Sequence, residues 1–502
     1  MRICVLQSSY EGSNSPFSGV DPYSDPASYF KNVKHDHHFE KVLVKKATAA
    51  QQIRDLARDG RFDVFINLCD GAFDEDRAGF EVVQLLERYG LAFTGANSKF
   101  YEPSKELMKM MAYYYDVNTA PFVFAYNEED IKEAHQNLRY PMIVKHYNGY
   151  SSVGMTKDSR VNNEEELLCQ ARKMIEDYGG ALIEEFIEGR EFTVLVAENP
   201  DNELEPLVYT PVECKFSNGE TFKHFDLKWK EYSGIKWVSC TDEALSQKLK
   251  EMSQRIFLAL GGVGYGRTDI RVNEAGEAFF LEINPNCGIF YAAPEDDPDA
   301  LGSADFILIN DPTIDHVTFT EHIIQCALKR QARNKQQVAV RFKHGMGYGL
   351  FALRDFAEGE LVVQYEETPH YIVSKGHVER TWNDPLKKSW FASYAYPLTD
   401  NLWGIWSDNP SEWRQINHSC DPNAWLVGLN VHARRPIAKG EPITMDYATF
   451  CVHNMNSFNC KCASSECRGF ITGTDHLQPF VGERYSGHLS DFQSSRPEQH
   501  RL

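Results

Sequence analysis

Four thiols in the C-terminal third have the spacing of metal ligands: Cys420, then Cys460, Cys462 and Cys467 within eight residues. Four thiolates suit a closed tetrahedral zinc site, which is structural because no coordination position stays open. Asn417 and His418 stand just before Cys420, and Tyr447 follows a strand-like apolar run. A metal on Cys420 would hold the Asn-His pair rigid, and the Tyr447 hydroxyl could reach a reacting centre. A second set lies far upstream. Glu282 and Asn284 share one face of a strand-like run, because strand side chains alternate, and Asp269 sits on the run before it. Hard oxygen ligands of this kind suit magnesium bridging nucleotide phosphates. Lys145 closes the apolar run 141–144, where a buried ammonium is costly unless an anion meets it. The small-residue loop with Ser151 and Ser152 follows and offers backbone N–H groups to a phosphate. Taken singly, each set also has a plain reading: buried thiols, solvated edge-strand carboxylates, and a loop that is only a turn.

These side chains need elements to hold them. Residues 2–6 and 62–68 read as short buried strands with a helix over 50–59 between them, an α/β alternation. A helical pattern over 70–90 ends at Gly90, and 91–95 reads as a further strand. Residues 13–36, rich in Ser, Pro, Tyr and Asp, show no period and are expected to form a loop or flap. A closing helix over 315–333 and a polar linker over 331–337 precede the strand that opens at Val338. The tail after Thr474 is polar and expected to be disordered.

With 502 residues the chain exceeds a single core and should divide into two to four domains. A net charge of -20 argues against direct nucleic-acid binding, which needs clustered Lys and Arg, and favours a basic substrate. No apolar run is long enough to span a bilayer, and the start turns polar at Gln7, too soon for a signal peptide. Twelve cysteines without a disulfide-type framework fit a reducing compartment. The expectation is an intracellular protein, cytoplasmic or nuclear, with no membrane partner; a homodimer is compatible with it.

The upstream motifs resemble the ATP-grasp ligases, most closely the D-alanine–D-alanine ligase branch, over roughly 60–290. The likeness runs through Thr94-Gly95, Ser104-Lys105, Ile143-Val144-Lys145, Ser151-Ser152-Val153-Gly154-Met155, Ile183-Glu184, Glu191-Phe192-Thr193-Val194, Lys215, Gly266-Arg267-Thr268-Asp269, Leu281-Glu282-Ile283-Asn284 and Gly288. It implies that Lys105, Lys145 and Lys215 contact ATP phosphates, with Ser151 and Ser152 in the phosphate loop. Glu184 to Ile187 would hold the adenine, Glu191 the ribose, and Asp269, Glu282 and Asn284 magnesium. Arg267 and the Gly288 backbone would stabilise the oxyanion when an amine attacks an acyl phosphate. The substrate residues depart from the family. Its glycine-rich opening with an acidic residue is not recognisable in 7–12, Tyr150 and Phe216 replace Gly and Tyr, and an acidic run over 295–299 replaces its carboxylate-binding segment. ATP chemistry on a substrate other than D-alanine is therefore expected.

The downstream motifs resemble SET-domain methyltransferases with their cysteine-rich post-SET segment. Asn417-His418-Ser419-Cys420, Pro422-Asn423, Gly440-Glu441, Asp446-Tyr447 and the Cys-x-Cys-x-x-x-x-Cys run carry the match, with the glycine turn Gly345 to Ala352 ahead of them. The resemblance implies that Gly347, Tyr348, Gly349, Arg414, Asn417 and His418 hold S-adenosyl-L-methionine and that Tyr447 orients the acceptor amine. Gln415 and Met445 depart from the commoner pattern, so the number of methyl groups transferred stays open. The tryptophans of 382–413 are read as core first and as a cage second.

Together these readings predict an α/β plus mainly-β chain: an ATP-grasp fold followed by a SET-type β fold with a post-SET zinc site. The expected parts are a pre-ATP-grasp α/β domain over 1–100, the ATP-grasp domain over 101–330, the SET domain over 338–452, the zinc segment over 453–475 and a tail over 476–502. The leading functional reading is a ligase unit acting on an amino acid or small peptide, joined to a methyltransferase unit acting on a lysine-containing protein or peptide. An alternative is a protein-lysine methyltransferase whose first half only binds nucleotide or a partner. A third has both sites binding their cofactors without catalysis.

Overall fold

The computed structural model describes all residues except 14–22, 74, 150–151, 203, 217–218, 230–234, 286, 292–301, 335–336, 345–346, 367–370, 406–415, 452–454 and 495–502. It divides into two compact units, Met1–Asn334 and Lys335–Leu502.

In the first unit the strands Arg2–Ser8, His38–Val44 and Val64–Leu68 pair in parallel with Arg2–Ser8 in the middle. Helices Ala49–Asp59 and Phe80–Arg88 cover this sheet, burying Ile53, Val82, Val83 and Leu86 against Cys4, Leu6 and Phe65. The second helix starts later than its pattern predicts. Gly71 and Gly79 pack backbone to backbone, so closely that a Cβ on Gly79 would lie 1.8 Å from the Gly71 carbonyl oxygen, and the chain between them is a loop. The run over 91–95 makes only an isolated bridge, Phe93 with Phe65. Part of the expected flap is ordered: Pro26–Phe30 is a 3-10 turn anchored by the buried Phe30.

Two further sheets form the cleft. One is antiparallel in the order Phe122–Ala125, Ala181–Glu185, Met142–His146, Arg160–Val161, backed by helices Glu128–Asn137 and Glu164–Tyr178. The first of these helices starts at a capping box on Asn127. The other sheet runs Ile235–Ser239, Val212–Phe216, Arg190–Ala197, Tyr265–Val272, Ala278–Pro285. Helix Glu243–Ala259 packs on it, and helices Ser303–Asn310 and His316–Asn334 close the unit.

The second unit is built of short sheets around Leu350, Phe356, Val363, Leu426, Val431, Ile437, Ile443 and Met445. Strands Val338–Lys343 and Gly347–Ala352 pair antiparallel, and Asn417–His418 lies parallel to Thr444–Met445. Trp403 is a core residue, packed with Val378, Phe391 and Ile405, while Trp406 and Trp413 lie outside the described residues. The tail departs from expectation. Helices Pro479–Arg484 and Asp491–Ser494 are ordered, Tyr485 is fully buried beside Ala448 and Val481, and His488 stacks on Trp425 with ring centroids 3.6 Å apart. A few large apolar side chains in a polar segment are enough to dock it. Among the described residues no helix is long and apolar enough to cross a membrane.

Tyr485→Ala should therefore destabilise the second unit by about 3–5 kcal/mol through the cavity it leaves. Tyr485→Phe should cost about 1 kcal/mol for the lost hydroxyl hydrogen bond to Asp446. Denaturant midpoints of the two variants check this. A tail that is only loosely attached would show no difference from wild type in either.

Two candidate active sites

Adjacent strands set the metal-type ligands of the first unit. Tyr265–Val272 and Ala278–Pro285 pair so that Asp269 stands opposite Glu282 and Arg267 opposite Asn284. The Asn284 amide lies 3.3 Å from the Asp269 carboxylate and 3.4 Å from that of Glu282. Arg267 donates to both oxygens of Asp269 at 3.1 Å, and Lys105 to Glu282 at 3.1 Å. Burial alone would raise the Asp269 carboxyl, but the charges of Arg267 and Lys223 overcome it and hold the group at about 2. Burial likewise opposes ionisation of Glu282, and the Lys105 ammonium brings it below the usual range. Both are carboxylates at neutral pH, ready to bind a cation.

The opposite wall carries the lysines. Ser104 caps helix Lys105–Tyr114, so Lys105 and Lys109 lie one turn apart on one face. Glu184, 1% exposed, sits between Lys109 and Lys145 and ion-pairs with both. Its burial is outweighed by the two ammonium charges, which hold it at about 2. Burial lowers Lys109, whereas Glu184 outweighs burial at Lys145 and raises it. Glu191 pairs with Lys223 at 2.9 Å and Arg271 at 3.1 Å, and Arg271 also donates to the Ile187 carbonyl at 2.7 Å. All of these groups but Lys109 and Asn284 line a cleft of about 890 Å³ counted out to its mouth, together with Gly149, Ser152, Phe186 and Ile187.

The structure brings Lys105, Lys145, Ser152, Glu184, Ile187, Glu191, Arg267, Asp269 and Glu282 into this cleft. Asn284 lines an adjoining cavity with Lys105 and Glu282. Ser151 and Tyr150 lie outside the described residues. One reading needs correction. Lys215 is exposed on the outer face of its strand, because Val212 and Cys214 take the inner one, and Lys223 occupies the cleft instead. The Glu184 carboxylate also serves as the counter-ion of Lys109 and Lys145. Sequence reading missed Lys109, Lys223 and Arg271. Only Lys109 carried a local signal, its one-turn spacing from Lys105.

In the second unit Gly347 has φ +79°, a left-handed conformation that suits glycine. A Cβ on Gly349 would meet the Asn417 side-chain amide nitrogen at 2.3 Å, so any other residue there would displace that amide. The Tyr348 side chain is exposed and packs on Phe342, leaving its backbone as the part that can face the turn. Tyr447 donates its hydroxyl to the Ile416 carbonyl at 2.9 Å, and its backbone N–H goes to His418 Nδ1 at 3.2 Å. Burial pushes the His418 imidazole down to about 4, so it is neutral at pH 7. With Nδ1 accepting, Nε2–H is left to donate to Cys420 Sγ at 3.3 Å. The sulfurs of Cys420, Cys460, Cys462 and Cys467 all lie within 4.8 Å of one another. Cys420 and Cys460 are 3.9 Å apart, near the edge of about 3.8 Å that 2.3 Å Zn–S bonds give a tetrahedron. Backbone N–H groups of Arg468 and Gly469 point at Cys420 and Cys467 at 3.3 and 3.4 Å, as the outer partners of a thiolate site do. Arg468 then reaches Asp446 with both terminal nitrogens, at 2.7 and 2.8 Å, tying the cysteine segment to the residue before Tyr447. Arg414 and Gln415 lie outside the described residues.

Comparison with known proteins agrees with both halves. Residues 112–292 match the family described as D-ala D-ala ligase C-terminus, and residues 347–448 match the SET domain. The chain is 32% identical over 228 residues to the D-alanine--D-alanine ligase of Aquifex aeolicus (strain VF5), 44% of this chain and 70% of that protein. Its counterpart in Desulfotalea psychrophila is 28% identical over 258 residues, 49% of this chain and 75% of that protein. Among solved structures, the VanG D-Ala:D-Ser ligase from Enterococcus faecalis is 17% identical with a TM-score of 0.48, covering 65% of this chain and 99% of that one.

The buried triad yields a stability prediction. Glu184→Gln leaves Lys109 and Lys145 without their counter-ion and should cost about 3–5 kcal/mol at pH 7. The native carboxyl lies at about 2, below its ordinary value of 4.5. Its contribution is therefore complete above pH 4.5 and lost as pH falls toward 2. Unfolding of the two proteins followed from pH 7 downward should show their difference shrinking below pH 4.5; a constant difference contradicts the pairing.

Proposed function

We propose two activities for this chain, which belongs to the D-alanine–D-alanine ligase family through its first unit and carries a SET domain in its second. The first is ATP-dependent joining of a carboxylate, on an amino acid or small peptide, to an amine. The second is transfer of a methyl group from S-adenosyl-L-methionine to a lysine amine.

One observation carries the ligase reading: Asp269, Glu282 and Asn284 converge opposite Lys105 and Lys145, with Arg267 beside them. Lys105, Lys145 and Lys223 hold the phosphates, Glu191 the ribose, and the segment Glu184 to Ile187 lines the wall for the base. Asp269, Glu282 and Asn284 would hold magnesium, which would supply the charge neutralisation that phosphoryl transfer needs. The substrate carboxylate takes the terminal phosphoryl group, giving an acyl phosphate and ADP. A neutral amine then attacks the acyl carbon, the C–N bond forms, phosphate leaves with the electron pair of the broken C–O bond, and the amine proton is released. Arg267 faces the oxygen that becomes negative during that attack.

For methyl transfer, the contact of Gly349 with Asn417 and the placing of Tyr447 by His418 support the reading. The Gly347–Gly349 turn, Asn417 and His418 form the cofactor side, and Tyr447 aligns the amine. That amine must be neutral to attack, and desolvation of its channel lowers its pKa. Cys420, Cys460, Cys462 and Cys467 would hold zinc in a structural role, and Arg468, whose N–H reaches Cys420, ties that segment to Asp446 beside Tyr447.

Arg267→Ala should lower ADP release with an amino-acid pool by at least about 100-fold while retaining ATP binding. Equal turnover would remove Arg267 from the mechanism, and no ADP release from either protein would return the first unit to a binding role. Tyr447→Phe should lower radiolabelled methyl transfer to lysine peptides by roughly 100-fold. Unchanged transfer removes Tyr447 from the mechanism.

A further inference from the structure

Beside the nucleotide cleft lies a second cavity, about 430 Å³ counted to its mouth, that the assigned residues do not explain. Gln7, Ser8, Tyr10, Tyr23, Asp70, Gly288 and Tyr291 are among the side chains and backbone that line it. It adjoins the reaction centre at two points. Gly288 is the expected oxyanion donor, and Asp70 also lines the cavity that holds Lys105, Glu282 and Asn284.

The polar groups of this cavity are of one kind. Gln7 is 3% exposed, and its amide nitrogen is tied to the Ser24 carbonyl, which fixes Oε1 as the acceptor end. That Oε1 has no hydrogen-bond donor within the described structure. A buried acceptor left unpaired costs about 1–3 kcal/mol unless a ligand supplies the N–H or O–H. Asp70 adds a carboxylate whose side chain is 44% exposed although Arg77 and Ser8 contact it. Among the described lining residues none is cationic. Arg77, behind the wall, is 2% exposed and already shared between Asp70 and Glu75. An amino-acid acceptor would bring a carboxylate that meets no cation among the described lining residues, the Lys41 ammonium lying over the Tyr23 ring at 4.4 Å, and a carboxylate left unpaired is expelled from such a site. An ammonium group would find both a carboxylate and a waiting amide oxygen.

We propose that this cavity selects the acceptor of the ligase reaction, and that the acceptor is a diamine or polyamine without a carboxylate, one ammonium held by Asp70 and Gln7 while the other nitrogen reacts. This rests on the ligase reading of the first unit. In the reaction the free amine loses its proton, its nitrogen forms the bond to the acyl carbon, and the acyl phosphate C–O bond breaks to release phosphate. The held ammonium is unchanged, and the product is an amide that keeps a positive charge.

The test uses the full chain with ATP, magnesium and an amino-acid pool, and 1,4-diaminobutane as probe. Butylamine, which lacks the second charge, and D-alanine, which adds a carboxylate, are the controls. Direct binding by calorimetry and ADP release are measured separately. The diamine should bind at least tenfold more tightly than either control, and Asp70→Asn should remove that preference. Gln7→Met should weaken diamine binding at least threefold, with thermal unfolding confirming that both variants fold. Diamine binding that depends on Asp70 but yields no ADP strikes the ligase reading and upholds the cavity assignment. D-alanine binding as tightly as the diamine, or a diamine preference that survives Asp70→Asn, overturns the proposal.

Discussion

A single buried carboxylate, that of Glu184, meets two lysines, one in the cleft wall and one behind it, and the first unit depends on that contact. Glu184 is almost wholly buried and pairs with both Lys109 and Lys145. An isolated buried ammonium would lose its proton or unfold its surroundings. One carboxylate thereby serves two lysines: it raises Lys145, while burial still lowers Lys109. The same contact fixes helix Lys105–Tyr114 and strand Met142–His146 to strand Ala181–Glu185, so the electrostatics and the architecture are one feature. Across the cleft the balance is reversed: Asp269 and Glu282 stay ionised because Arg267 and Lys105 face them. A positive wall opposite a carboxylate pair is the arrangement that a metal-bridged polyphosphate requires.

The second unit solves a different problem, that of holding a hydroxyl and a cofactor turn in place with very little regular structure. Its sheets are short, so position comes from specific contacts. Gly349 lets Asn417 approach, neutral His418 takes the Tyr447 N–H, and Arg468 bridges the cysteine cluster to Asp446. The tail adds Tyr485 on the other side of that carboxylate. Asp446 is thus held by two segments, the one that carries Cys460, Cys462 and Cys467 and the helix that buries Tyr485.

Much of this was legible in the sequence where chemistry and spacing coincide. The alternation of Glu282 and Asn284, the lysine ending an apolar strand, and the cysteine spacing all led to residues that do come together. What failed depended on which way a side chain faces or on distant contacts. Lys215 follows a motif but points outward, and Lys223, in a loop without a period, replaces it. Lys109 and Arg271 acquire meaning only once Glu184 and Glu191 are beside them. The tail reads as disordered because composition averages over a polar segment, whereas docking depends on Val481, Tyr485 and Phe492 individually. The Gly71–Gly79 contact delayed a helix whose hydrophobic period was otherwise correct, since backbone packing between glycines leaves no periodic trace.

The central claim is that the first unit holds a preformed nucleotide site completed by a divalent cation at its carboxylate edge. Calorimetric titration of the full chain with a non-hydrolysable ATP analogue, with and without magnesium, tests it most directly. The account predicts one nucleotide per chain and an affinity that magnesium raises at least about tenfold, as bridging of the phosphates to two carboxylates demands. Binding of equal strength without the metal, or no binding at all, would contradict it.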